Sequence, residues 1–147
     1  RALTHINQSA LLPYSAGQLF DLVNDIASYP DFMDGCSAVE IIEQNQNQIT
    51  ARLELGKAGL RYAFTTCNTL KPSESMTMTL VEGPFENFAA AWTFRALDEN
   101  ACKVSLDMKF EFASGLVDVA LKRLFESTSR NLVNSVCKRA ELLYGSQ

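Results

Sequence analysis

The stretch Cys102-Lys103-Val104-Ser105-Leu106-Asp107-Met108-Lys109-Phe110-Glu111-Phe112 alternates apolar and polar side chains along its whole length. Cys102, Val104, Leu106, Met108, Phe110 and Phe112 share one side, and Lys103, Ser105, Asp107, Lys109 and Glu111 share the other. Successive side chains on a strand point to opposite faces, so this pattern is a strand with one dry and one wet face. Such strands belong to antiparallel sheets.

Toward the N-terminus the same period returns. Phe88, Ala90, Trp92 and Phe94 alternate, as do Met76, Met78 and Leu80, and Leu60, Tyr62, Phe64 and Thr66. Ile49, Ala51, Leu53 and Leu55 oppose Thr50, Arg52 and Glu54. An opening strand is expected over about 4–12 and another over about 39–43. Turn chemistry falls between the runs, at Gly56-Lys57-Ala58-Gly59, Lys71-Pro72-Ser73, Gly83-Pro84 and Asp98-Glu99-Asn100. The polar run Glu43-Gln44-Asn45-Gln46-Asn47-Gln48 reads as a hairpin turn.

Two segments change period. Residues 16–32 read as one or two short helices broken at Tyr29-Pro30 and capped by Ser15. From Gly115 to Tyr144, Val117, Leu121, Leu124, Thr128, Leu132, Val136, Ala140 and Leu143 recur every three or four residues. This predicts one long helix capped by Ser114 and ended by Gly145, a rod of roughly 45 Å. The order is strand, short helices, about six strands, long helix. One helix can hide the dry face of a six- or seven-stranded sheet only if the sheet curls around it. The expected class is therefore α+β, a helix-grip, with residues 1–147 forming a single domain.

Composition agrees. A chain of 147 residues that is 47% hydrophobic and 20% charged builds its own core, which excludes disordered and repeat classes. A net charge of −4 argues against a surface devoted to nucleic acid, though not against a local basic patch. No apolar run approaches the ~20 residues that span a bilayer, and no secretory signal is expected in the opening residues. Cys36, Cys67, Cys102 and Cys137 form no CxxC pair and are expected as free thiols in a reducing, cytoplasmic compartment. With His5 the only histidine, no metal site is expected.

Catalytic residues are not expected. His5 lies near the N-terminal edge, and Asp21, Asp25, Asp31 and Asp34 cluster around the short helices without EF-hand spacing. No phosphate loop, GxSxG or HExxH occurs. Apolar lining is what abounds. Inward candidates are Leu53 and Leu55, then Tyr62 and Phe64, then Met76, Met78 and Leu80. Phe88, Trp92 and Phe94 follow, then Met108, Phe110 and Phe112, and from the long helix Leu121, Leu124, Leu132 and Val136. Ordinary core packing and a lipid-sized cavity both account for them. Three of the four Met share this face, and Met is the adaptable side chain of apolar sites. Tyr29, Pro30 and Phe32, with Pro84 and Phe85, would form the mouth, as gates or as plain turn packing. The long helix carries five basic residues against three acidic ones. Arg123, Arg130 and Lys138 lie opposite its apolar stripe, as a solvated back or as a phosphate contact on ribosomal RNA.

An ordered set of short motifs adds to this reading. Leu11-Leu12-Pro13-Tyr14-Ser15, Leu22-Val23-Asn24-Asp25-Ile26 and Ser28-Tyr29-Pro30-Asp31-Phe32 precede Cys36. Lys57-Ala58-Gly59, Phe64-Thr65-Thr66 with Asn68, Gly83-Pro84-Phe85, Trp92-Thr93-Phe94 and Phe110-Glu111-Phe112 follow, with Arg139-Ala140 and Tyr144-Gly145 at the end. The set resembles the coenzyme Q-binding branch of the START (polyketide cyclase-like) superfamily over almost the whole chain. The resemblance implies a START/Bet v 1-like helix-grip that holds ubiquinone or a related polyisoprenoid lipid, supports respiration and needs no other cofactor. Bacterial members are described as binding the large ribosomal subunit and blocking its association with the small one. Work in the cytoplasm is expected, with transient contact at the inner membrane surface and none with DNA. Relatives often place proline before the cysteine, where this chain has Met33-Asp34-Gly35-Cys36 and an extra negative charge.

Overall fold

The computed structural model describes residues 3–115 and 117–145. Leu116, inside the expected helical run, lies outside them. Seven strands form one antiparallel sheet: β1 (Thr4–Leu12), β2 (Cys36–Gln44), β3 (Gln48–Lys57), β4 (Leu60–Lys71), β5 (Ser75–Glu82), β6 (Phe85–Asp98) and β7 (Ala101–Phe112). Their spatial order is β1-β7-β6-β5-β4-β3-β2. From β2 to β7 the chain meanders through hairpins, and β1 closes on the far side of β7. The first two strands therefore occupy opposite edges, and the segment joining them must cross the sheet.

Alternation places the dry face as expected. Ile49, Ala51, Leu53 and Leu55 are buried, as are Cys102, Val104, Leu106, Met108 and Phe110. The turns follow their residues. Ala58 and Gly59 both take positive φ, 53° and 84°, the two-residue hairpin turn whose hand matches strand twist. At the polar run, the Asn45 carboxamide oxygen accepts from the backbone N–H groups of Asn47 and Gln48.

The crossing segment forms α1 (Ala16–Asn24), one 3-10 turn at Ile26–Ser28, and α2 (Tyr29–Phe32). Ser15 caps α1 reciprocally: its hydroxyl accepts from Gln18 N–H, and its own N–H donates to the Gln18 side chain. The break falls at Asp25, ahead of the expected Tyr29-Pro30. Proline there opens the next helix, because its missing N–H is unneeded in a first turn.

The single C-terminal rod is also corrected. The helix starts late, at α3 (Val119–Arg130), and a second, α4 (Leu132–Tyr144), follows after Asn131. Ser114 sits in a turn. The cap is Asp118, whose carboxylate accepts from Leu121 N–H at 3.0 Å. Val117 precedes the helix, and Leu143 is exposed. Asn131 takes φ −96° and ψ −2°, in the bridge region. The run Ser127-Thr128-Ser129 before it is weak helix former, since short polar side chains compete for backbone groups.

Candidate ligand cavity and basic helix face

Splitting the C-terminal helix divides the dry face. α1 and α4 pack over the part built by β1, β6 and β7, whereas α3 lies over β3 and β4. Under α3 the packing is incomplete and leaves a cavity of about 50 Å³. Leu53 and Leu55 of β3, Phe64 of β4 and Met78 of β5 line it, with Phe88 and Trp92 of β6 and Met108 of β7. Tyr29 and Met33 close one side, and Phe125, Thr128, Ser129 and Leu132 form the roof. Two more residues of β4, Thr66 and Asn68, complete the lining. None of these side chains carries a charge at neutral pH.

The polar corner is specific. Thr66 and Asn68 share the inward face of β4 and are each 2% exposed. The Thr66 hydroxyl donates to the Asn68 carboxamide oxygen at 2.8 Å. The carboxamide nitrogen has no protein acceptor among the described residues. Thr128 and Ser129 stand across the same cavity, buried at 7% and 2%. Polar groups in such a place cost free energy unless they find a partner.

Of the lining expected from sequence, Leu53, Leu55, Phe64, Met78, Phe88, Trp92, Met108 and Leu132 meet the cavity. The others pack elsewhere. Phe94 sits edge-on against Phe20 of α1, and Met76, Leu124 and Val136 are solid core. Leu80 and Leu121 are half-buried beside that core. Phe110 and Phe112 join Phe64, Phe85, Phe88 and Phe125 in a ring cluster with centroids 4.8–6.3 Å apart. Tyr62 borders this cluster, and its buried hydroxyl has no hydrogen-bond partner among the described residues. Burial pushes that phenol well above its ordinary range.

The mouth residues divide as well. Phe85 is buried within the ring cluster and guards no opening. Gly83 lets its turn close on it, since a Cβ there would meet the Phe64 Cβ at 2.8 Å. Pro84 is pinned through its carbonyl, which accepts from Ala113 N–H. Tyr29 is buried, lines the cavity and donates to the Val23 carbonyl. Burial is also the main reason its phenol titrates far above the usual value. Phe32 is half-buried under the Arg139 guanidinium, 5.2 Å from the ring centroid, and Pro30 is exposed.

Sequence reasoning missed Met33, Thr66, Asn68, Phe125, Thr128 and Ser129 as lining. The alternation of Tyr62 and Phe64 runs on through Thr66 and Asn68, so polar residues at inward positions were the available signal. Phe125 lies four residues after Leu121 and seven before Leu132, on the same helical stripe.

On the basic face, Arg123 and Lys138 are exposed. Arg130 pairs with Glu126 at 3.1 Å on a half-exposed surface, a contact weak enough to exchange for a phosphate. His5 is exposed and bonds the Asp107 carboxylate at 2.6 Å. Among the described residues no cluster of His, Cys, Asp or Glu could hold a metal, and no helix is long and apolar enough to cross a membrane.

A seven-stranded antiparallel sheet gripping its C-terminal helices, with an apolar cavity between, defines a START-type helix-grip protein. Residues 12–137 match the family described as polyketide cyclase / dehydrase and lipid transport, and the chain belongs to that family. It is 45% identical over 142 residues to the ribosome association toxin RatA of Pseudomonas aeruginosa, covering 97% of this chain and 99% of that one. It is 23% identical over 139 residues to the mitochondrial coenzyme Q-binding protein COQ10 of Dictyostelium discoideum, covering 92% of this chain and 68% of that one. Among solved structures, the Zhui aromatase/cyclase from Streptomyces sp. R1128 shares the fold with a TM-score of 0.78 at 19% identity, over 95% of this chain and 94% of that one.

Proposed function

We propose that this chain is a non-enzymatic binding protein that acts on the ribosome, engaging the large subunit and hindering its pairing with the small one. The observation that carries this reading is end-to-end similarity, at 45% identity, to a protein named for ribosome association. The exposed cations of α3 and α4 supply the chemistry. Arg123 and Arg130 stand seven residues apart on one face of α3, Lys138 follows on α4, and all three can meet RNA phosphate. The test is co-sedimentation of the purified chain with isolated large subunits. Reversing Arg123, Arg130 and Lys138 to Glu eliminates co-sedimentation if these residues carry the contact. Unchanged binding of the folded triple variant places the contact elsewhere.

The cavity favours a second, compatible reading, in which the interior takes a hydrophobic ligand of the quinone or polyisoprenoid class. The similarity to a coenzyme Q-binding protein points the same way. Ligand pockets usually span about 300 Å³ or more. A cavity of about 50 Å³ therefore has to widen, and the flexible thioethers of Met33, Met78 and Met108 are the parts best able to move. The lining offers no acid or base that titrates near neutral pH, which supports binding over catalysis. Phe64→Glu or Trp92→Glu in a folded chain abolishes quinone retention on this reading, and a variant that still retains quinone overturns it.

A further inference from the structure

Resting on the cavity reading, we infer that the cavity selects an uncharged head group bearing a hydrogen-bond-accepting oxygen, a ring carbonyl above all, and that Asn68 is the residue that reads it. Asn68 is 2% exposed and lines the cavity, yet only one end of its carboxamide is used. Thr66 donates to the oxygen, which leaves the N–H₂ end of this cavity-lining side chain available to another acceptor. A donor held in that way, without a protein acceptor, is completed by an oxygen that arrives with a ligand. Thr128 and Ser129 of α3 line the same cavity.

The rest of the lining decides what kind of oxygen. It contains no Lys, Arg or His, and its remaining surface is Leu, Met, Phe, Tyr and Trp. A carboxylate or phosphate brought there would lose its hydration with no cation to replace it, a cost far above that of a neutral carbonyl. Phospholipid heads and fatty acids, which would have to bind protonated, are thereby disfavoured relative to a quinone or ketone on an apolar tail. The tail supplies affinity by desolvation, and Asn68 supplies the discrimination.

The experiment compares decylubiquinone, decanoate and decylbenzene on the purified full chain. Binding is read as ligand-dependent rise in melting temperature, and for the quinone also as quenching of Trp92, the one tryptophan. Decylubiquinone is expected to bind about tenfold tighter than the other two. Asn68→Leu is expected to lower quinone affinity about tenfold, to the level of decylbenzene, and to leave decylbenzene binding unreduced. Infrared spectra of decylubiquinone on the wild-type chain give a second test that needs no variant: the carbonyl band shifts down relative to quinone in alkane. An unshifted band, wild-type quinone affinity in Asn68→Leu, or decanoate binding equal to quinone overturns the inference while the cavity reading stands. If none of the three probes binds, the cavity reading itself fails and this inference fails with it.

Discussion

Gly35 stands at φ +91°, and a Cβ built there would meet the Thr128 hydroxyl at 2.2 Å. Two constraints meet at one position: a left-handed backbone and close approach of the α2–β2 loop to the helix that roofs the cavity. Gly35→Ala is expected to cost about 1–3 kcal/mol, measured by urea unfolding. The sequence shows the glycine but not the helix side chain that it meets. Cys36, one residue on, has its thiol pushed up to about 11, chiefly by burial. The neutral thiol is the form the folded state favours, so its contribution is complete below the ordinary value near 9 and is lost as pH rises toward 11. Iodoacetamide at pH 8 is expected to leave Cys36 unmodified in the native chain and to alkylate it after unfolding.

At the scale of elements, local signals served best where geometry is local. Alternation alone identifies strands, and Ser15 with Gln18 makes a capping box that four residues suffice to specify. The C-terminal helix shows the opposite. Its apolar stripe runs unbroken through Asn131 in the sequence, yet the chain needs a break there, and its start shifts from Ser114 to Asp118. Asp118→Ala is expected to cost about 1 kcal/mol of stability, and Ser114→Ala is expected to cost next to nothing, both read by chemical denaturation with circular dichroism. A loss at Ser114 equal to that at Asp118 would mean that the helix starts at Ser114.

For the molecule as a whole, Phe125 ties α3 to the sheet. Its ring lies 4.8 Å from Phe110, 4.9 Å from Phe85 and 5.5 Å from Phe64, so one side chain joins the helix to β4, β6 and β7. Phe125→Ala is expected to lose about 3–5 kcal/mol and to enlarge the neighbouring cavity, checked by thermal unfolding and by uptake of a small apolar probe. Phe112→Ala, at the half-buried rim of the same cluster, is expected to cost less.

By itself the sequence determined the strands, the dry face and the helix-grip, because side-chain period is a property of the local backbone. Its apolar inventory also named about half of the cavity wall. Which part of the dry face became solid and which became hollow was decided only in three dimensions. That depends on where α1, α3 and α4 come to lie over a curved sheet, a matter of long-range packing to which alternation is blind. The same holds for the polar corner. Thr66 and Asn68 share their cavity with Thr128 and Ser129, some sixty residues away in the chain and brought there only by the closing of the helix onto the sheet.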